Sequence, residues 1–301
     1  MIYQSIRELV GATPILKLNK IEIPNNNAIY AKCEFKNPAG GIKDRFAFFA
    51  FERLLESGKI NKNSIIVEVS AGNTGLGIAL AALEYKIKAI IFVPEKFSLE
   101  KQILMRALGA RVVLTPKDEG LEGATIRAKE FLAKTPNAFN LEQFSNKDNP
   151  KAHYETTARE IYADLGDNID YFVCGAGTGG TFSGISLFLK ERINNIKCVL
   201  CDPKGSVIGG GKKGEAHIEG IGNDFVPENM DLSLVDEVIK ISDNQAYIGL
   251  KMLAKKEGIL AGISSGACLS AALKLAKNIK NKNIVIILAD GLQNYLSKNL
   301  I

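Results

Sequence analysis

Short runs of isoleucine, valine and other apolar residues recur along the chain, separated by longer segments with helical spacing. Candidate strands are Ala28–Glu34, Ile65–Val69, Ala89–Val93, Arg111–Leu114, Tyr171–Cys174, Cys198–Cys201 and Ile284–Ala289. Several show no polar alternation, the pattern of parallel strands buried on both faces. Candidate helices between them are Arg45–Ser57, Leu76–Tyr85, Leu99–Leu108, Thr125–Lys134, Lys151–Leu165, Thr181–Arg192, Ala246–Glu257 and Ala267–Ile279. This alternation predicts an α/β fold with doubly wound, mainly parallel sheets. Gly58, Gly109, Gly166 and Gly258 each fall just past a periodic segment, as helix ends do. The longest stretch without clear structure runs from Asp202 to about Leu232, and a loop that long in a compact domain is more often functional than incidental.

At 301 residues the chain is long enough for one large α/β domain or two smaller ones. The net charge of +5 is spread along the sequence, without a basic stripe carrying interleaved aromatics, so nucleic acid is not expected as a partner. The N-terminus has neither a basic nor an apolar leader region, and no apolar run reaches membrane-spanning length. A cytoplasmic protein without membrane contact is the expectation. Cys33, Cys174, Cys198, Cys201 and Cys268 mostly sit in apolar runs and read as reduced, buried thiols. Cys198 and Cys201 have the spacing of a redox or metal pair, but three positions along a strand put them on opposite faces. With only two histidines, His153 and His217, no metal site is expected.

Candidate chemistry begins at Lys43, in Asn37-Pro-Ala-Gly-Gly-Ile-Lys-Asp-Arg45. The amine sits at the boundary between a glycine-rich loop and a helix that is apolar nearly all round. Burial there would lower its pKa from about 10.4 toward neutrality, as a Schiff-base lysine requires. Two glycine-rich loops, Ser70-Ala-Gly-Asn-Thr-Gly-Leu-Gly77 and Gly175-Ala-Gly-Thr-Gly-Gly-Thr181, each follow a β-branched run and precede a helix. Free N–H groups at helix N-termini favour anions. One amine and two anion cradles suit an aldehyde cofactor bearing a phosphate, joined to a substrate bearing a carboxylate. Pyridoxal 5′-phosphate (PLP) acting on an amino acid meets that requirement. Gly175, Gly177 and Gly180 also satisfy GxGxxG, with Asp202 ending the next strand about 20 residues on, so a nicotinamide-dependent oxidoreductase is the competing reading. It leaves the Ser70–Gly77 loop unused, and Thr178 and Thr181 add hydroxyl donors suited to a phosphate monoester.

Six segments in order, NPAGGIKDR around Lys43, AGNTG, Asn140-Leu-Glu-Gln-Phe144, GAGTGGT, Glu219-Gly-Ile-Gly222 and Gly262-Ile-Ser-Ser-Gly266, resemble the cysteine synthase/cystathionine β-synthase family of fold-type II PLP enzymes, also typified by the tryptophan synthase β fold. The likeness runs from Gly11-Ala-Thr-Pro14 to the C-terminus. It implies that Lys43 binds the cofactor covalently and moves the substrate α-proton, and that Asn73 contacts the ring hydroxyl. Gly177, Thr178, Gly179, Gly180 and Thr181 would cradle the phosphate, and Ser264 would bond the pyridine nitrogen. Ser70, Ala71, Asn73, Thr74 and Gln143 would border the substrate carboxylate, with Glu219 and Gly220 beside the incoming nucleophile. The implied reaction is β-replacement on O-acetylserine, serine or cysteine through an aminoacrylate, with a sulfur nucleophile as acceptor. Cysteine synthase is the leading expectation. A cystathionine β-synthase-like enzyme using homocysteine or cysteine, releasing hydrogen sulfide and forming lanthionine when cysteine is the donor, is the near alternative. A serine/threonine deaminase is more remote. The resemblance further implies a larger PLP-binding domain (1–36 with 141–301), a smaller mobile domain (37–140) that closes over substrate, and a homodimer.

Three departures stand out. Ala71 replaces the serine of the common TSGNTG loop, a lost hydroxyl worth about 0.5–1.5 kcal/mol of carboxylate binding. Gly41 replaces a serine two residues before the lysine, and Asp290-Gly-Leu-Gln-Asn-Tyr295 lacks a familiar arginine. Glu219 stands where the commonest cysteine synthases carry glutamine, and a carboxylate there would steer or deprotonate an amino-acid thiol. Asn223 stands where the cystathionine β-synthases often have tyrosine.

Overall fold

Isoleucine- and valine-rich segments that cannot leave either face in water must build sheets covered by helices on both sides. The computed structural model, which describes residues 2–95, 97–215, 217–298 and 300, shows two such sheets. The larger contains β1 (Ile15–Lys17), β2 (Ala28–Cys33), β7 (Tyr171–Gly175), β8 (Lys197–Pro203), β9 (Glu237–Ile241) and β10 (Asn283–Leu288), in the order β1-β2-β10-β7-β8-β9. All its pairings are parallel except β1 on β2. The smaller is wholly parallel, in the order β5-β4-β3-β6, from β3 (Ile65–Val69), β4 (Lys88–Pro94), β5 (Arg111–Thr115) and β6 (Ala138–Asn140). The helices are α1 (Lys43–Glu56), α2 (Asn73–Tyr85), α3 (Leu99–Ala107), α4 (Gly120–Lys134), α5 (Asp148–Ala152), α6 (Ala158–Leu165), α7 (Gly180–Lys190), α8 (Asp243–Met252) and α9 (Ile263–Ala276). The doubly wound, mainly parallel α/β architecture expected from the sequence is therefore borne out.

Period-two alternation divides each central strand between two cores. Ile284, Ile286 and Leu288 of β10 pack with α8 and α9, whereas Val285 and Ile287 pack with α7. Cys201 falls in the first of these cores and Cys198 in the second, so the CxxC pair is split across the sheet. All five cysteines are free and buried.

Strand β3 was legible to the residue, and the other expected strands lie within two residues of their observed ends. Three strands had no counterpart in the sequence reading: β1 and β6 have three residues each, too few to show a period, and β9 is an edge strand. Apart from α3, which starts at Leu99 as expected, the helices start earlier than expected. Lys43, Asn73 and Gly180 are each the first helical residue of α1, α2 and α7. The expected helix Lys151–Leu165 instead begins at Asp148 and passes through a π-helical turn, His153–Thr157.

Candidate active site

Lys43 is placed by backbone pairing rather than by its side chain. The Ile42 N–H donates to the Ala289 carbonyl at 2.8 Å, and Gly41 bridges to Asp290, so α1 starts against the carboxyl end of β10. Open α/β sheets bind ligands at such strand ends. A cavity there is lined by Lys43, Asn73, the Cys174–Gly179 segment, Thr181, Gly220, Ser264 and Asp290, among others. The Lys43 amine donates to Thr178 Oγ1 at 3.2 Å. Burial pulls its pKa down to about 8, toward the neutral, nucleophilic form.

The loop after β7 has the form of an anion cradle. Gly179 has φ +83°, a left-handed conformation that also brings its Cα against Met230; a Cβ there would lie 2.6–2.8 Å from that residue. A Cβ on Gly177 would strike the Gly220 carbonyl. Among the described residues the N–H groups of Gly177, Thr178 and Gly179 find no protein acceptor, and they precede the free N-terminus of α7. Buried N–H groups without partners are costly, and a phosphate satisfies several at once. Thr178 Oγ1 already accepts from Lys43 and from Asn149 Nδ2 (3.0 Å), which leaves its own proton free to donate into the loop. These residues fit PLP, whose aldehyde would meet Lys43 and whose phosphate would meet the loop.

The other expected positions fall into two groups. Asn73, Gly220 and Ser264 line the same cavity. Ser70, Ala71, Thr74, Gln143, Gly180 and Glu219 stand outside that lining. Ser70 Oγ accepts from the N–H groups of Gly72 (3.2 Å) and Gly75 (3.0 Å), shaping the turn into α2. The Thr74 hydroxyl donates to Gln143 Oε1 at 2.6 Å, both side chains buried. Glu219 is ion-paired with Lys101 at 3.0 Å and with Lys298. Burial alone would raise the Glu219 carboxyl, but the two ammonium groups hold it below the ordinary range.

Several residues were missed from the sequence. Asp290 lines the cavity and accepts from Asn73 Nδ2 (2.6 Å) and from the Tyr295 hydroxyl, so Asn73 is tethered to the C-terminal segment. Its position just past β10 was the available signal. Lys101 is buried with its ammonium 4.2 Å from the centre of the Tyr295 ring, and nothing local in α3 marks it out. In the first turn of α1, Arg45 bonds both oxygens of Glu34 (2.6 and 2.8 Å) and both of Glu160 (2.7 Å each), with Lys32 also on Glu160 at 2.7 Å. Two cations and two carboxylates balance in charge there, which a buried cluster requires.

The chain is 43% identical over 300 residues to the O-acetylserine dependent cystathionine beta-synthase of Bacillus subtilis, covering 99% of this chain and 98% of that protein. It is 44% identical over 306 residues to the cysteine synthase of Helicobacter pylori, covering 100% and 99%. The crystal structure of the O-acetylserine dependent cystathionine beta-synthase from Helicobacter pylori superposes with a TM-score of 0.93 at 43% identity, covering 100% and 99%. The sequence profile described as pyridoxal-phosphate dependent enzyme matches residues 6–290, from before β1 to the Asp290 that closes the cavity, and the chain belongs to that PLP-dependent family.

Proposed function

We propose that the protein catalyses β-replacement on a small amino acid, exchanging a β-substituent for a sulfur nucleophile, with cysteine synthesis from O-acetylserine as the leading activity. The observation that carries this reading is one cavity bordered by a buried, easily deprotonated lysine, a phosphate cradle and a neutral serine, Ser264, at the N-terminus of α9. Bound PLP would supply an electron sink for the carbanion formed when the α-proton leaves. Lys43 would hold the cofactor and then carry that proton. Gly177–Thr181 would fix the phosphate, Asn73 would face the ring hydroxyl, and Ser264 would bond the pyridine nitrogen without protonating it. The Ser70–Thr74 turn and Gln143 would take the substrate carboxylate.

A second acceptor class is favoured by Glu219, whose carboxylate and two attendant ammonium groups complement a zwitterion better than they complement sulfide. Homocysteine or a second cysteine fits that description, and two of the similar proteins named above are cystathionine synthases. In this reading residues 37–140 form the domain that closes over substrate, and the enzyme works as a cytoplasmic homodimer.

The test is the absorption spectrum of the purified protein before and after O-acetylserine, followed by product analysis with sulfide, homocysteine or cysteine as acceptor. A visible cofactor band that shifts on adding the donor, with cysteine formed from sulfide, supports the reading. No band after PLP is supplied refutes it, and pyruvate as sole product without an acceptor would make the protein a deaminase.

A further inference from the structure

The π-helical turn places a buried histidine against the cofactor loop. His153 is its first residue, with Nδ1 3.0 Å from Thr157 Oγ1 and Nε2 3.1 Å from Thr181 Oγ1. Single π turns inside α-helices recur at functional sites. Four residues earlier on the same helical face, Asn149 reaches Thr178 Oγ1. One helical stripe, Asn149 and His153, thus contacts both threonines of the loop. The approach is close because α7 carries glycine where the helices cross. A Cβ on Gly180 would strike the Asn149 side chain, and one on Gly184 would meet the Tyr154 N at 3.0 Å and strike the Pro150 carbonyl oxygen.

We propose that His153 is a positioning residue for cofactor phosphate: it carries its proton on Nε2, donates to Thr181 Oγ1, and so aims the Thr181 hydroxyl proton into the loop. The inference rests on the reading that Gly177–Thr181 hold the phosphate. A neutral imidazole has one donor and one acceptor nitrogen. Were the proton on Nδ1, the bare Nε2 would draw the Thr181 proton away from the loop and leave an oxygen lone pair facing the anion. With the proton on Nε2, Thr157 donates to Nδ1, and Thr181 keeps its own proton for the phosphate. Asn149 does the same for Thr178, because its amide N–H occupies a lone pair of that hydroxyl and leaves the hydroxyl proton to donate into the loop. Burial, with Lys43 and Arg45 nearby outweighing Glu160, keeps the ring uncharged by depressing its pKa well below the ordinary histidine value.

Two measurements test this. The protein has only two histidines, so long-range ¹H–¹⁵N spectra of the holoprotein, assigned with a His217→Gln variant, resolve the His153 tautomer directly. A proton on Nε2 that persists from pH 6 to 8 is expected, and an Nδ1–H form or a charged ring overturns the proposal. Second, apoprotein affinities for PLP and for unphosphorylated pyridoxal give a ratio that reports the phosphate alone. A general packing defect weakens both ligands together and leaves that ratio unchanged. We expect Thr181→Val and His153→Phe each to lower the ratio about ten-fold, as for loss of one hydrogen bond to a charged group. His153→Gln, which keeps an N–H donor, should retain most of it. An unchanged ratio in Thr181→Val overturns the phosphate-loop reading itself. A lowered ratio in Thr181→Val with an unchanged one in His153→Phe overturns only the role of His153.

Discussion

Gly77 lies in the second turn of α2, where that helix crosses the start of α1. An alanine Cβ there would stand 2.9 Å from the Lys43 carbonyl oxygen, 3.0 Å from its carbonyl carbon and 3.1 Å from the Asp44 nitrogen. All three are backbone atoms, so no rotamer change relieves the contact. Ordinary contact starts at 3.4 Å, so the helices must part by about 0.5 Å, the shortfall from 3.4 to 2.9. Overpacking of this kind costs about 1–3 kcal/mol, and replacing a helical glycine by alanine returns about 1 kcal/mol. The net loss of stability for Gly77→Ala is therefore between about 0 and 2 kcal/mol, and the protein should remain folded and bind PLP. Activity should suffer more, because the displaced atoms belong to Lys43. Misplacement by 1 Å costs about 10²-fold, which scales to about ten-fold for half that distance. Steady-state kinetics of cysteine formation from O-acetylserine and sulfide, set beside thermal melts of the same samples, separate the two effects. Unchanged kcat, or a loss that merely follows the unfolded fraction, would refute the idea that α2 sets the position of the lysine.

Other consequences are as direct. Lys43→Ala should keep the fold, lose the covalent cofactor band and fall by at least about 10²–10⁴-fold in turnover, as expected for loss of a positioned acid–base group; persistence of the band would show that another amine holds PLP. Capture of PLP by the apoprotein should accelerate with a midpoint near pH 8 rather than at the ordinary lysine value of 10.5, since the neutral amine attacks the aldehyde; stopped-flow rates from pH 6 to 10 give that midpoint. Glu68, buried beneath the Ser70 turn with Oε2 unpartnered among the described residues, has its carboxyl raised by burial from 4.5 to about 8. The folded state thus binds more protons than the unfolded state between those values, and the group's stabilising contribution is lost as pH rises, by at most about 1.4 kcal/mol per pH unit. Glu68→Gln should remove that slope, so urea melts at pH 5, 6 and 7 must show its advantage over the parent growing with pH. Glu219→Gln should impair homocysteine and cysteine as acceptors more than sulfide, and equal effects on kcat/KM for both classes would sink that assignment.

What the sequence disclosed depended on how local the signal was. Lys43 and the Gly177–Thr181 loop stood out because glycine spacing, a preceding β-branched run and a following helix are neighbours in sequence. β9, Glu237-Val-Ile-Lys-Ile241, alternates as an edge strand should, but five residues give too short a period to stand out. Lys101, Asn149, His153 and Asp290 were silent for a different reason. Each acts through a partner brought to it by the crossing of separate elements, as Asp290 meets Asn73 across 217 positions. A buried histidine on a helix reads as core from sequence alone, and only the π turn and its contact with Thr181 give it a task.

The pairing of Glu219 also changes what that residue can do. A carboxylate between two ammonium groups is a weaker proton acceptor than a free one, which favours steering over deprotonation of the two roles expected for it. Its two ion pairs join α3 to the C-terminal segment. Lys101 comes from α3, within the proposed closing segment, whereas Glu219 follows β8 and Lys298 belongs to the C-terminal segment. Ser98, capping α3, also donates to the Asn294 carbonyl at 3.3 Å, so the same helix holds the C-terminal segment by a second route. Sulfide carries no ammonium or carboxylate group and leaves these pairs intact. An amino-acid thiol carries both charges and competes for Lys101 and Glu219 together, exchanging protein ion pairs for its own. If residues 37–140 close over substrate as proposed, such a nucleophile would loosen the contacts that hold α3 against the C-terminal segment, and acceptor choice would be tied to closure.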